Sequence, residues 1–341
     1  MSAETMQAWR LQGFGVDQLK VDRVPLPEPG PTEILVEVSA VALNYRDLLV
    51  MDGAFLPDLE RPFVPCSDAV GRVVAVGEEV ERFTIGERVL SHYWVDWIEG
   101  APPVPDLSRA RSLGGPLQGV LAEYVVLDQA HAVRAPHSLS DAEAATLPIA
   151  GLTAFAALLE GHPVDSTSSV LVQGTGGVAC FAIQFAASVG AHVIALSSSD
   201  RKLDVAQLLG ASHTVNYHAN PDWDRLVLEL TGGHGVDRII ELVGGNNLER
   251  SLRALTFNGE IAQIGFLASP EARFPLPTLM LHQARIRGVA VGHRAAFERM
   301  VAWIDEHGLA PQIDAQFPFA AAPDAFRKLH AGPLGKVVLV R

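Results

Sequence analysis

One segment constrains the fold of this 341-residue chain more than any other: VLVQGTGGVACFAIQFA, residues 170–186, in which an apolar strand, a glycine turn and an apolar-faced helix follow one another directly. Gly174 allows the turn. Gly176 removes a side chain where a pyrophosphate has to approach the backbone, and Gly177 opens a helix whose N-terminal N–H groups and dipole face that anion. Thr175 and Val178 complete the loop, and Ala179 stands where a third glycine is usual; its methyl still permits close helix–strand packing. A glycine triplet alone is a weak signal, so the context decides. HVIAL (192–196), HTVNY (213–217), VDRIIEL (236–242) and GEIAQIG (259–265) are further apolar runs separated by segments of helical length, and Phe181, Phe185 and Val189 recur every four residues. This βαβ alternation predicts a parallel, doubly wound sheet that binds a dinucleotide.

The end of the second strand discriminates between dinucleotides. An acidic residue about twenty positions after the glycines would hydrogen-bond a ribose 2′-hydroxyl and repel a 2′-phosphate. The sequence there is HVIALSSSDRKLD, which puts Ser197, Ser198 and Ser199 in that region with Arg201 and Lys202 just beyond. Hydroxyls and cations suit a phosphate monoester, which favours NADPH over NADH. The serines also suit the cap of a helix beginning at Asp200, and the two roles are compatible.

Upstream, the chain alternates short β-type runs with Gly and Pro punctuation: ILVEVSAVAL (34–43), AVGRVVAVG (69–77), ERVLS (87–91) and GVLAEYVVL (119–127). That texture predicts a mostly antiparallel domain. Between the last two runs lies a long loop with Tyr93, Trp94, Trp97 and four prolines, suited to binding a ligand or to packing over a domain edge. RIRGVAV (285–291) reads as one more strand before a helix near Ala295, and GKVVLV (335–340) as a last one. With 26 basic against 39 acidic residues the net charge is −13, which argues against nucleic acid or an anionic membrane surface as partner. Two cysteines, Cys66 and Cys180, are too few for a disulfide framework, a cysteine-rich zinc site or an iron–sulfur cluster. A soluble protein in a reducing, cytoplasmic setting is expected, since MSAETMQAWR is not laid out as a signal peptide and no apolar run reaches about 18 residues.

Taken together, these runs resemble the medium-chain dehydrogenase/reductase superfamily, and within it the zinc-independent quinone oxidoreductase-like branch. The resemblance extends from ILVEVSAVALNYRDLL through SDAVGRVVAVGEEVERFTIGERV, GVLAEYVV, ATLPIAGLTAFAAL and VLVQGTGGV to GKVVL. It implies an α/β protein: a GroES-like, β-rich catalytic domain (residues 1–150, resumed at 292–341) around a central Rossmann domain (151–291). It also implies a homodimer in which the strand near 285–291 extends the sheet.

Zinc-type members of that superfamily place a Cys, a His with adjacent Glu, and a third Cys or Asp around a metal. The corresponding positions here hold Asn44, Ser67-Asp68 and Pro148-Ile149-Ala150, so no zinc is expected. Without a metal, hydride transfer from the nicotinamide suits an acceptor that is already conjugated, a quinone or an α,β-unsaturated carbonyl, because the resulting enolate needs only hydrogen-bond donors. The resemblance assigns those donors to Asn44, Tyr45 and Arg46, with Asp47 as a buried structural partner. It implies cofactor contacts at Thr153, Tyr217, Lys202, Val243, Gly244, Ile264, Gly265, Phe266, Val289, Val291 and Lys336. Phe55, Tyr93, Trp94 and Trp97 are the expected substrate pocket. His92, which opens the aromatic loop, reads as a packing histidine before a catalytic one. A zinc-free alcohol dehydrogenase or ketone reductase is the alternative activity, and a redox-inactive NADPH-binding protein the alternative of another class.

Overall fold

The computed structural model describes residues 4–106 and 110–341. The chain divides into two units, one that runs to Leu152 and resumes at Gly292, and one that spans Thr153–Val291. The first begins with a hairpin of β1 (Thr5–Leu11) and β2 (Leu19–Pro25), then β3 (Glu33–Leu43), α1 (Tyr45–Met51), β4 (Asp68–Val76), β5 (Arg88–Ser91), β6 (Tyr124–Asp128), β7 (Ala132–Arg134) and α2 (Asp141–Ala144). One turn of π-helix, Leu147–Gly151, leads into α3 (Leu152–Leu159). The second unit alternates β8 (Ser169–Gln173), α4 (Gly177–Ser188), β9 (His192–Ser197), α5 (Asp200–Leu208), β10 (His213–Asn216), α6 (Trp223–Leu230), β11 (Val236–Glu241), α7 (Asn247–Ala254), β12 (Leu255–Gln263), α8 (Leu276–Leu281) and β13 (Arg285–Gly288). The first unit resumes with α9 (Arg294–His307), β14 (Ile313–Pro318), α10 (Ala322–His330) and β15 (Lys336–Val340).

In the first unit β14, β15, β3, β4, β5 and β7 lie side by side, and β6 also pairs with β3. Because β3 is 11 residues long, one edge serves two partners: Glu33–Glu37 face β6 and Ala40–Leu43 face β15. That division brings the C-terminal strand to the end of β3. Apolar residues of β3 (Ile34, Val36, Val38, Val41) pack with Phe63, Phe326, Val337 and Leu339 in the core. The sheet is antiparallel apart from the β14–β15 pair.

The second unit is a six-stranded parallel sheet in the order β10-β9-β8-β11-β12-β13. Its inner strands β9, β8, β11 and β12 are largely buried, with Leu171, Ile194, Ile239 and Ile261 in one core, as helices on both sides require. The order reverses between β8 and β11, and ligands of such sheets bind beyond the carboxyl ends of the strands at that point.

Three expectations shift. GVLAEYVVL enters regular pairing only at Tyr124, and RIRGVAV leaves it after Gly288 as the chain turns through Val291, at φ 64°. The aromatic loop forms a local bridge, Trp94 to Ser112. The β1–β2 hairpin and β14 carry no strong sequence signal.

Candidate functional site

In the first unit the candidate residues gather at the junction of β3 and α1. Asn44 is the N-cap of α1, and its N–H donates to Asp47 Oδ2 at 2.8 Å, which fixes the start of the helix. β15 pairs with β3 through Val337 and Leu43, so Lys336 lies beside Asn44. The Lys336 ammonium donates to Asn44 Oδ1 at 2.6 Å and Leu43 O at 2.8 Å, and lies 3.8 Å from Asp68 Oδ2. An ammonium only donates, so the oxygen of the amide must face it. Asn44 Nδ2 is buried and makes no hydrogen bond of good geometry among the described residues, although the Asn44 side chain is one of the groups that hold the pKa of Asp68 down.

Burial dominates the titration of this cluster. It pushes the Asp68 carboxyl up to about 7, with Lys336 as the largest opposing cause. It raises Asp47 against Arg46 and lowers Lys336 against Asp68. The Cys66 thiol is pushed well up, first by burial and then by the charges of Asp47 and Asp68. Cys66 itself turns through the left-handed region (φ 71°), and the next residue, Ser67, meets Arg46.

Arg46 binds Ser67 Oγ at 3.0 Å, Gly114 O at 3.1 Å and Gly115 O at 3.3 Å, and its guanidinium lies 5.0 Å from the Tyr93 ring centroid and 5.9 Å from that of Phe55. It is thus a fixed cation that clamps the loop at 113–115. Tyr45 is 48% exposed and Phe55 44% exposed, whereas Tyr93 and Trp94 are buried edge to face at 4.5 Å. Trp97 does not join them: its indole N–H donates to Gly100 O, and its ring packs on His293 at 5.7 Å. The expected four-residue pocket is therefore split. His92 is buried with Nε2 at 3.1 Å from Gly292 O, and burial holds it neutral, down to about 4.

Lys336, expected to contact the cofactor, is instead buried as an internal anchor, its ammonium donating to Leu43 O and Asn44 Oδ1 and ion-paired with Asp68. The same contacts make this donor set unsuited to zinc. Asn44 Oδ1 and Asp68 face an ammonium, Ser67 Oγ donates to Leu113 O and accepts from a guanidinium, and no group of three or more His, Cys, Asp or Glu gathers among the described residues.

In the second unit the candidate feature is the glycine turn. Gly174 lies at φ 85°, and a Cβ built at Gly174 or Gly176 would meet nothing within 4 Å, so the backbone faces open space. Gly176 is the N-cap of α4 and supplies no side-chain cap, leaving the first N–H groups for a ligand. Gly177 and Val178 begin that helix. These features fit a dinucleotide pyrophosphate.

Thr175 and Ser197 are buried with their hydroxyls 3.2 Å apart. Ser199 is the N-cap of α5, yet its hydroxyl makes no capping bond. Ser198 and Lys202 are partly buried, and Tyr217, 39% exposed, lies against His218. Val243 and Gly244 follow β11, and Ile264, Gly265 and Phe266 follow β12, all beyond the carboxyl ends of those strands. Val289 and Val291 are buried after β13, and Thr153 is buried in the first turn of α3. Sequence reasoning missed Glu241, a carboxylate that ends an apolar strand and is fully buried; the charge closing VDRIIE was the available signal.

Two family models match: an alcohol dehydrogenase GroES-like domain over residues 30–137 and a zinc-binding dehydrogenase over residues 177–306. A zinc-type alcohol dehydrogenase-like protein of Schizosaccharomyces pombe is 39% identical over 333 residues, covering 95% of this chain and 96% of its own. A chloroplastic quinone oxidoreductase of Triphysaria versicolor is 29% identical and covers 99% of each chain. A crystal structure named as an alcohol dehydrogenase of Sinorhizobium meliloti superposes with a TM-score of 0.94 at 44% identity over 100% of both chains.

Proposed function

The chain belongs to the medium-chain dehydrogenase/reductase superfamily of NAD(P)H-dependent oxidoreductases, and on that premise we propose that it transfers a hydride from NADPH to a quinone or α,β-unsaturated carbonyl without a catalytic zinc. The observation that carries this reading is electrostatic. The positions resembling ligand slots hold Asn44, Ser67 and Asp68, and each faces a cation of the protein itself, Lys336 or Arg46.

The bound nicotinamide supplies the hydride. The protein has to receive the charge that develops on the acceptor. With Oδ1 held by Lys336, Asn44 has Nδ2 to donate, shared between Asp68 and an acceptor oxygen, and the half-exposed Tyr45 hydroxyl is a second donor. Such neutral donors suffice for an enolate, whereas a simple ketone needs a stronger electrophile. Arg46 positions Tyr93 and the loop at 113–115, with Phe55 at the same guanidinium. Support for NADPH comes from the absence of acid at the end of β9, the uncapping Ser199 hydroxyl and the cation of Lys202.

Relatives named alcohol dehydrogenases favour a second reading, a zinc-free alcohol dehydrogenase or ketone reductase. Steady-state turnover with NADPH and NADH against a quinone, an enone and a secondary alcohol separates the two. Activity abolished by a chelator and restored by zinc overturns the zinc-free reading. A homodimer through the edge strand β13 is supported by its exposed backbone edge and by α8, where Leu276, Met280 and Leu281 are 64%, 71% and 77% exposed. Light scattering tests it, with Leu281→Asp expected to yield monomers. No helix among the described residues is long and apolar enough to cross a membrane; a cytoplasmic location is part of the proposal.

A further inference from the structure

Glu241 is the last residue of β11 and is fully buried, and it forms no ion pair among the described residues. Its Oε1 accepts from the N–H groups of Val243 at 2.9 Å and Gly244 at 3.0 Å. Asn247 Nδ2 reaches both carboxylate oxygens, at 3.1 and 3.0 Å, and the Ser251 hydroxyl donates to Oε2. Ser251 in turn accepts from Gln173 Nε2 at 2.8 Å, and Gln173 Oε1 accepts from Asn247 at 3.0 Å. The ring closes across the ends of β8 and β11, where the strand order reverses and a ligand of this sheet binds.

The same residue governs the neighbouring loop through its main chain. Glu241 O accepts from Ile264 N–H at 2.9 Å and Gly265 N–H at 3.1 Å. The two loops interlock at glycines: a Cβ at Gly265 would lie 2.2 Å from Leu242 O, and one at Gly244 2.9 Å from the Phe266 Cα. Burying a carboxylate without a cation is costly, and an apolar side chain would end the strand more cheaply. What a carboxylate adds is the capacity to accept from two N–H groups of one turn, an amide and a hydroxyl at once.

We propose that Glu241 is the positioning residue for one wall of the dinucleotide site, holding Val243 and Gly244 by its side chain and Ile264 and Gly265 by its carbonyl. The inference rests on the dinucleotide reading above. It is tested with Glu241→Ala, Glu241→Gln and Ser251→Ala by cofactor titration of protein fluorescence and by steady-state kinetics below the melting temperature of each variant. Glu241→Ala is expected to raise Kd and KM for NADPH about tenfold, and Glu241→Gln, which keeps one acceptor oxygen, about threefold, while the acceptor KM changes less than about twofold. Ser251→Ala, expected to act like the glutamine variant, serves if the alanine variant does not fold. A cofactor Kd within about twofold of wild type in Glu241→Gln and Ser251→Ala, with only the melting temperature lowered, overturns the inference. Equal rises in both KM values also overturn it. Wild-type protein that binds neither NADPH nor NADH overturns the dinucleotide reading itself, and this inference with it.

Discussion

Replacing Lys336 by methionine removes a buried ammonium while keeping an unbranched chain of similar length. The change withdraws hydrogen bonds to Asn44 Oδ1 at 2.6 Å and Leu43 O at 2.8 Å and the cation 3.8 Å from Asp68. Charge-assisted bonds contribute about 1.5–3 kcal/mol each, and removing one partner of a buried pair costs about 3–5 kcal/mol. Here the cost depends on pH, because burial has already pushed Asp68 up to about 7. Between that value and about 3.9 in the unfolded chain, the folded state binds the proton more tightly, so this group's contribution to stability falls as pH rises through the window. At pH 6 Asp68 is mostly neutral, and the variant loses mainly hydrogen bonds. At pH 8 it must also protonate Asp68 or bury an unpaired anion. At about 2–4 °C per kcal/mol, a loss of about 3 kcal/mol lowers Tm by about 6–12 °C at pH 8, with a smaller loss at pH 6. Thermal unfolding at both pH values, repeated with Lys336→Met/Asp68→Asn to remove the difference, measures this. A shift below about 2 °C at pH 8, or equal shifts at the two pH values, refutes the reasoning.

Arg46→Ala strands the carbonyls of Gly114 and Gly115 and removes the cation from Tyr93, so the acceptor KM rises about tenfold with the cofactor KM unchanged; Arg46→Lys does not restore it, because an ammonium cannot reproduce the guanidinium fork. His92 is held neutral down to about 4, so the unfolded chain binds its proton first and stability is lost as pH falls from about 6.5 through that range; His92→Phe should flatten this part of the pH dependence in urea unfolding. Lys202→Ala is expected to raise KM for NADPH about fivefold and to leave that for NADH unchanged, and equal effects on the two cofactors refute the assignment of its cation to the 2′-phosphate. Cys66 and Cys180 are buried with raised thiols, so native protein should resist an aromatic disulfide reagent that labels both in denaturant.

What could be read from the sequence follows the range of the interactions. The turn between β8 and α4 is local: strand, glycines and helix lie within 20 residues, and each reports its own backbone requirement. Lys336 is the opposite case. Before GKVVLV it looks like a cation at the start of a strand, and only the register of β15 on β3 carries it 292 residues to the Asn44 amide. Trp97 misleads for a related reason: proximity to Tyr93 and Trp94 suggests one pocket, but the chain bends after the Trp94–Ser112 bridge and delivers the indole to His293. Glu241 was hidden by its place in an apolar strand, where its four donors come from a turn and a helix that the strand itself does not specify. In each case the residue type was visible and its partner was not. The same distinction separates the two halves of the zinc argument. Losing the ligand types Cys and His is legible in NYRD and CSD, but a polar pocket without thiolate or imidazole could still hold an ion. It is the ammonium of Lys336 against Asn44 and Asp68, and the guanidinium of Arg46 against Ser67, that turns those positions into the partners of internal cations.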